Sequence, residues 1–295
     1  MKPWKKILIF LTIIATVPQV TSGCFSFRMS EKKINDFFQQ RAIRYTNKHY
    51  SINGRNIHYI QVGEDTLPTL LFIHGAPGSL SAFIHFLADT SLLKSFKMIS
   101  VDRPGYGNSD FGKSVTSLEK QAALILPLLK DISDNVPTIL VGHSLGGAVI
   151  ARIAMDYPEE IDGMLLLAPS ISPLLEPDEW FRKPLHSPFF RWMVPKSLRV
   201  TNDEILFLES ELTLMTPYWK NITCPVTVIQ GGKDSLVDPG NAKFAREVMT
   251  GTPVNILFLQ DQNHFLPWNN SSLITSTLLD LKSLAIAYQS SSQSK

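Results

Sequence analysis

The sequence predicts an α/β protein, with a mostly parallel central sheet and helices on both of its faces. Three observations predict it. Short apolar runs alternate with longer helical patterns from about residue 69 to residue 288, the rhythm of successive βα units. The runs hold few charges and little polar alternation, as strands do when both faces are covered. One run, "TILVGHS", passes directly into "LGGAVIARIA", a strand entering a helix through a serine set among glycines.

The elements follow in chain order. "HYSINGRNIHYIQVG" places Asn53-Gly54 between two β-like stretches, a strong hairpin signal. "TLLFIHG" (69–75), "MISVDRPG" (98–105), "TILVGHS" (138–144), "GMLLLAP" (163–169), "PVTVIQGG" (225–232) and "VNILFLQ" (254–260) read as buried strands. Helical patterns occupy residues near 117–133, 145–156, 239–250 and 271–288. Residues 171–219 break the rhythm with six prolines and a run of aromatics that includes Trp180, Phe189, Trp192 and Trp219. That is too long for a plain connection, and it reads as a helical cap. Its aromatics either line an apolar pocket or pack the cap onto the core.

The amino terminus, "MKPWKKILIFLTIIATVPQVTSGC", has a basic start, an apolar stretch and small residues. It reads as a secretory signal peptide over residues 1–23. "VTSGC" resembles a bacterial lipoprotein signal, which implies lipid on Cys24 and a membrane tether; the alternative is simple export to the periplasm or medium. The rest divides into a tether with a short helix (24–45), a core (46–170), the cap (171–219), a second core part (220–288) and a disordered tail (289–295). The net charge is +2. Without Lys2, Lys5 and Lys6 of the leader, 25 basic residues face 26 acidic ones, which gives no reason to expect nucleic acid as a partner.

A Gly-x-Ser-x-Gly match arises by chance in roughly one chain in ten of this length, so its setting decides. Ser144 lies between a strand and a helix, where a sharp turn lifts the hydroxyl clear of the sheet. A serine hydroxyl needs a base, a group to orient that base, and donors for the oxyanion. Of seven histidines only His186 and His264 follow Ser144. His264 lies just past a strand end and is the expected base. Asp234, at the tip of "PVTVIQGGKD", is the expected acid, with Asp238 and Asp261 as alternatives. The oxyanion donors expected are the N–H groups of Leu145 and of Ala76 in "HGAPGS", where Ala76–Pro77 is expected to be cis. "DRPGYGNSD" (102–110) is expected to brace the loops through Asp102 or Arg103.

Taken together, "HGAPGS", "DRPGYGNSD", "GHSLGG", "GGKD" and "NHF" resemble the α/β-hydrolase superfamily, in particular its capped members with an HG-x-PG loop. The resemblance runs from about residue 50 to the end. It implies a triad at Ser144, Asp234 and His264, an oxyanion hole at Ala76 and Leu145, a small-molecule substrate, and no metal or organic cofactor. Epoxide hydrolases and haloalkane dehalogenases share the loop but use an aspartate where this chain has Ser144. Proline iminopeptidases usually carry tryptophan after the serine, and here Leu145 follows it. The expectation is an esterase-like serine hydrolase. A proline iminopeptidase-like enzyme and a non-catalytic binding protein are the alternatives.

Overall fold

The computed structural model describes residues 27–130 and 136–293. The expected leader, Cys24 and the last two residues lie outside them. Eight strands form one sheet: β1 (Tyr45–Ile52), β2 (Arg55–Val62), β3 (Thr69–Ile73), β4 (Lys97–Val101), β5 (Thr138–His143), β6 (Gly163–Leu167), β7 (Val226–Gly231) and β8 (Val254–Leu259). Their spatial order is β1-β2-β4-β3-β5-β6-β7-β8. β1, β2 and β4 pair antiparallel, and every other pairing is parallel. The hairpin turns at Asn53 and Gly54, with φ of 50° and 71°.

Six longer helices complete the frame: α1 (Glu31–Gln39), α2 (Leu118–Lys130), α3 (Leu145–Asp156), α4 (Lys196–Met215), α5 (Gly240–Val248) and α6 (Ser271–Gln293). Successive strand residues point to opposite faces, and the core divides accordingly. Leu71, Ile73, Leu140 and Leu166 pack with α2, α3, α5 and the end of α4. Leu70, Phe72, Val141 and Leu165 pack with α1 and α6 on the other side. Strands β3 to β7 have almost no polar outward face because neither face meets water. β8 departs from this pattern. It is an edge strand with only partial burial, so its apolar run is not enclosed on both sides.

One expectation is corrected. The carboxyl-terminal helix continues to Gln293, where a disordered tail was expected from residue 289. The serines of that stretch bond back to helix carbonyls, Ser290 to Ile286 and Ser292 to Tyr288, so a polar composition there does not end the helix. The aromatics of 171–219, for which pocket lining and core packing were both open, divide. Trp219 is buried against Phe244, with ring centroids 5.7 Å apart, whereas Trp180, Phe189 and Trp192 point to solvent.

Between β6 and β7 the chain forms short helical turns at Arg182–His186 and Pro188–Arg191 and then the long α4. Asp203 of α4 ties both turns down. It accepts from Arg191 Nη2 at 2.7 Å and pairs with His186 Nδ1 at 2.8 Å. Among the described residues no helix is long and apolar enough to cross a membrane.

Candidate active site

The carboxyl ends of β3, β4, β5, β7 and β8 meet at one edge of the sheet, where open α/β sheets place their ligands. β5 ends at His143 and the chain turns at once into α3. The turn residue, Ser144, has φ 55° and ψ −126°, a conformation that a non-glycine residue holds only when its surroundings impose it. Those surroundings are visible. Ser144 N–H donates to the Leu167 carbonyl at 3.0 Å, and the Ser144 carbonyl accepts from Gly147 N–H at 2.8 Å. The flanking glycines are required by close approach. A Cβ on Gly142 would lie 2.5 Å from the Gly146 carbonyl oxygen, and one on Gly146 would lie 2.2 Å from that of Ile73.

The loop after β3 lies against this turn: a Cβ on Gly75 would come within 2.9 Å of Ser144 Cβ. The Ala76–Pro77 bond is cis. Leu145 opens α3, so its N–H has no carbonyl one turn earlier to bond. Leu145 follows the serine directly, and Ala76 follows Gly75 in the loop that abuts it.

Asp234 and His264, 30 residues apart in the chain, are joined by a hydrogen bond of 2.7 Å from His264 Nδ1 to Asp234 Oδ2. The second carboxylate oxygen accepts from the N–H groups of Leu236 and Val237, each at 2.9 Å. Burial pushes the Asp234 carboxyl up. The His264 bond and the two backbone donors outweigh it and leave the carboxyl below its ordinary range. The alternative acids are engaged elsewhere. Asp238 accepts from Gly240 N–H at 2.7 Å, and Asp261 pairs with Lys233 at 2.7 Å on the surface. His186 is held by Asp203 and takes no part.

Ser144 Oγ and His264 make no hydrogen bond in this structure. His143, next to the serine in the chain, links the two loops. It donates from Nε2 to the His264 carbonyl at 3.0 Å, and the two rings lie 4.7 Å apart. Burial, with the nearby His264, drives the His143 pKa down to about 3.

The loop after β3 is held from below by the one after β4. Arg103 Nε donates to the His74 carbonyl at 2.8 Å and Nη2 to that of Gly75 at 3.2 Å. His74 Nδ1 donates to Gly75 O at 2.7 Å, and Nε2 accepts from Arg103 N–H at 3.0 Å. That second bond requires a neutral ring, and burial with the adjacent Arg103 lowers the His74 pKa to about 3. Asp102 accepts from Leu80 N–H at 2.8 Å and pairs with buried His58 at 2.6 Å. The bracing role expected of Asp102 and Arg103 is thus shared by both. Sequence reading missed the partners of Arg103: Glu204 on α4 and Gln121 on α2. Neither lies in a motif, and only the packing of α4 over the β4 loop brings them in. Among the described residues no three His, Cys, Asp or Glu side chains group as a metal site.

A family model described as "alpha/beta hydrolase fold" matches residues 68–214. The chain has the α/β-hydrolase fold. It is similar to the solved structure of a membrane phospholipase A described as a bacterial virulence factor, with TM-score 0.65 and 16% identity over 97% of this chain and 99% of that one. It is 29% identical over 118 residues to an acetyltransferase component of an acetoin-cleaving system from Cupriavidus necator, covering 40% of this chain and 30% of that protein. It is likewise 29% identical over 118 residues to epoxide hydrolase 4 of Mus musculus, covering 39% and 32%. The match therefore spans about a third of the length of these curated relatives. The expected capped, esterase-like branch is a finer statement than the shared fold.

Proposed function

We propose that this α/β-hydrolase-fold chain is a serine hydrolase that cleaves a small ester, or a related acyl bond, through an acyl-enzyme on Ser144. The observation that carries the reading is the buried Asp234–His264 hydrogen bond of 2.7 Å at the same sheet edge as the strained Ser144 turn. His264 Nδ1–H donates to Asp234, so Nε2 is free to take a proton. In the proposed course Ser144 Oγ attacks the substrate carbonyl carbon as His264 Nε2 takes its proton. The carbonyl oxygen becomes negative between the Ala76 and Leu145 N–H groups, which stabilise it where it forms. The leaving alcohol takes the proton from His264. Water then gives a proton to the same nitrogen and attacks the acyl carbon; the acyl–oxygen bond to Ser144 breaks, His264 returns the proton to Ser144 Oγ, and the acid leaves. The serine–imidazole bond of such sites is often loose without substrate and tightens with it.

Two observations favour ester over peptidase chemistry. Leu145 follows the serine, and the buried acids of the insertion are spent: Glu204 on Arg103, Asp203 on Arg191 and His186. Residues 171–219 are read as a cap over the site. The leader supports export and a lipid tether at Cys24, which mass spectrometry of the mature amino terminus tests.

A serine-reactive fluorophosphonate probe tests the central reading. Labelling at Ser144 that Ser144→Ala abolishes is the expected result. An intact, unlabelled protein would instead favour a binding role. Parallel assays on an aryl ester and a prolyl amide divide esterase from iminopeptidase.

A further inference from the structure

The β6–β7 insertion exposes three large rings within a short stretch of chain. Trp180, Phe189 and Trp192 are 80%, 76% and 66% exposed, values that leave nearly whole rings in water. Large apolar rings left in water beside cations are candidates for a contact surface. Between Trp180 and Arg199 the chain holds five lysines and arginines and no carboxylate. Arg182 pairs with Glu179 and Arg191 with Asp203. Arg199 donates to the Trp192 carbonyl at 3.1 Å and also to that of Val194. Lys183 and Lys196 have no ion pair among the described residues, and both are exposed. The rings are not on a loose loop. Asp203 fastens both short turns, and Asn202 Nδ2 donates to the Arg182 carbonyl at 3.0 Å.

Arg28 lies near the same insertion. Arg28 donates to the Gly107 carbonyl at 2.5 Å and to Asn108 Oδ1 at 3.0 Å, and its guanidinium lies 5.0 Å from the Phe111 ring centroid. The next residue, Gly112, abuts the insertion: a Cβ there would sit 3.1 Å from Lys196 Cδ. Arg28 thus lies against the same loop, 105–112, that touches Lys196 of the insertion.

We propose that this face docks on an anionic lipid bilayer, with Trp180, Phe189 and Trp192 entering the headgroup layer and Lys183 and Lys196 meeting lipid phosphates. Indole and phenyl rings beside lysines suit that interface, where a ring finds an apolar layer and an ammonium remains hydrated. Unpaired cations without intervening carboxylates complement a negative leaflet. A tether near residue 24 fixes only the distance of the protein from a membrane; this second contact fixes its orientation. The proposal does not depend on the acyl-enzyme reading.

The test uses the Cys24→Ser protein, which cannot carry a lipid on that residue, sedimented with phosphatidylcholine vesicles with and without phosphatidylglycerol. The expected result is binding that phosphatidylglycerol strengthens and salt weakens, with tryptophan emission quenched by brominated lipid. Combined Trp180→Ser, Phe189→Ser and Trp192→Ser should weaken binding by roughly tenfold or more. Lys183→Glu with Lys196→Glu should remove the preference for the anionic vesicles, at roughly fivefold per lysine. Unchanged melting temperatures would show that the variants fold. The proposal is overturned if the parent protein stays in the supernatant, if the aromatic variant binds as tightly as the parent, or if that variant merely turns a dimer into a monomer.

Discussion

Arg103 and Glu204, 101 residues apart in the chain, form a bidentate pair, with Nη1–Oε1 at 2.9 Å and Nη2–Oε2 at 3.0 Å, both side chains essentially without solvent contact. Tyr106 donates to the same carboxylate at 2.7 Å and Gln121 at 3.0 Å. Burial works against the guanidinium charge, and the attraction of Glu204 overcomes it, leaving the Arg103 pKa raised. The three remaining guanidinium protons go to Gln121 Oε1 and to the His74 and Gly75 carbonyls. The pair therefore fastens α4 to the loop beside Ser144.

Removing one partner strands a buried charge. Glu204→Ala should cost about 3–5 kcal/mol in unfolding free energy, read by denaturant titration. In whatever fraction folds, the loop that carries Ala76 is less fixed, so kcat on an aryl ester should fall more than KM rises. A variant with unchanged stability would mean that the pair contributes nothing.

The acid can be assigned by substitution. Asp234→Asn keeps the shape but reverses the demand on His264 Nδ1, which then favours the wrong tautomer. Turnover should fall by about 10⁴-fold, as for the equivalent change in a serine protease triad. Asp238→Asn and Asp261→Asn should retain near-parental rates, because neither carboxylate reaches His264. Equal losses from all three would refute the assignment.

Gly146→Ala tests the serine turn. Its Cβ would approach the Ile73 carbonyl oxygen to 2.2 Å, a backbone atom that cannot swing aside. A loss of about 1–3 kcal/mol is expected from such overpacking, with a fall in probe labelling at Ser144. Gly54→Ala meets no atom within 4 Å and so serves as a spatially open comparison, although φ there is positive.

Acid should destabilise the fold through its buried imidazoles. His74 and His143 have pKa values of about 3 in the folded chain, below the unfolded reference of ~6.5. Between those values the unfolded state binds the extra protons, so stability falls as pH drops below ~6.5 and continues to fall toward about 3. Asp102 and Asp234, both held below the ordinary carboxylate range, add to the loss at the acid end of that window. Unfolding midpoints measured from neutral to acid pH should decline steadily. A flat profile would show that the two rings are not neutral and enclosed.

Much of this was legible before any coordinates. β3 to β7 are mostly apolar because both faces are covered, and that pattern is written locally. Gly142, Ser144 and Gly146 are also local, since one turn must satisfy all three. Glu204 gave no such signal. A glutamate in α4 looks like any solvated helix residue until α4 folds over Arg103. The exposed Trp180 and buried Trp219 belong to one aromatic run, and composition does not separate them.

The sequence by itself determined the sheet, its helices, the serine turn and the residue types at the strand ends, because each depends on neighbours a few positions away. Only the tertiary structure decided that Asp234 rather than Asp238 or Asp261 meets His264, that Arg103 holds Glu204, and which aromatics face water. Those are contacts between segments distant in the chain. Their geometry is set by how strands and helices pack, which no local pattern encodes.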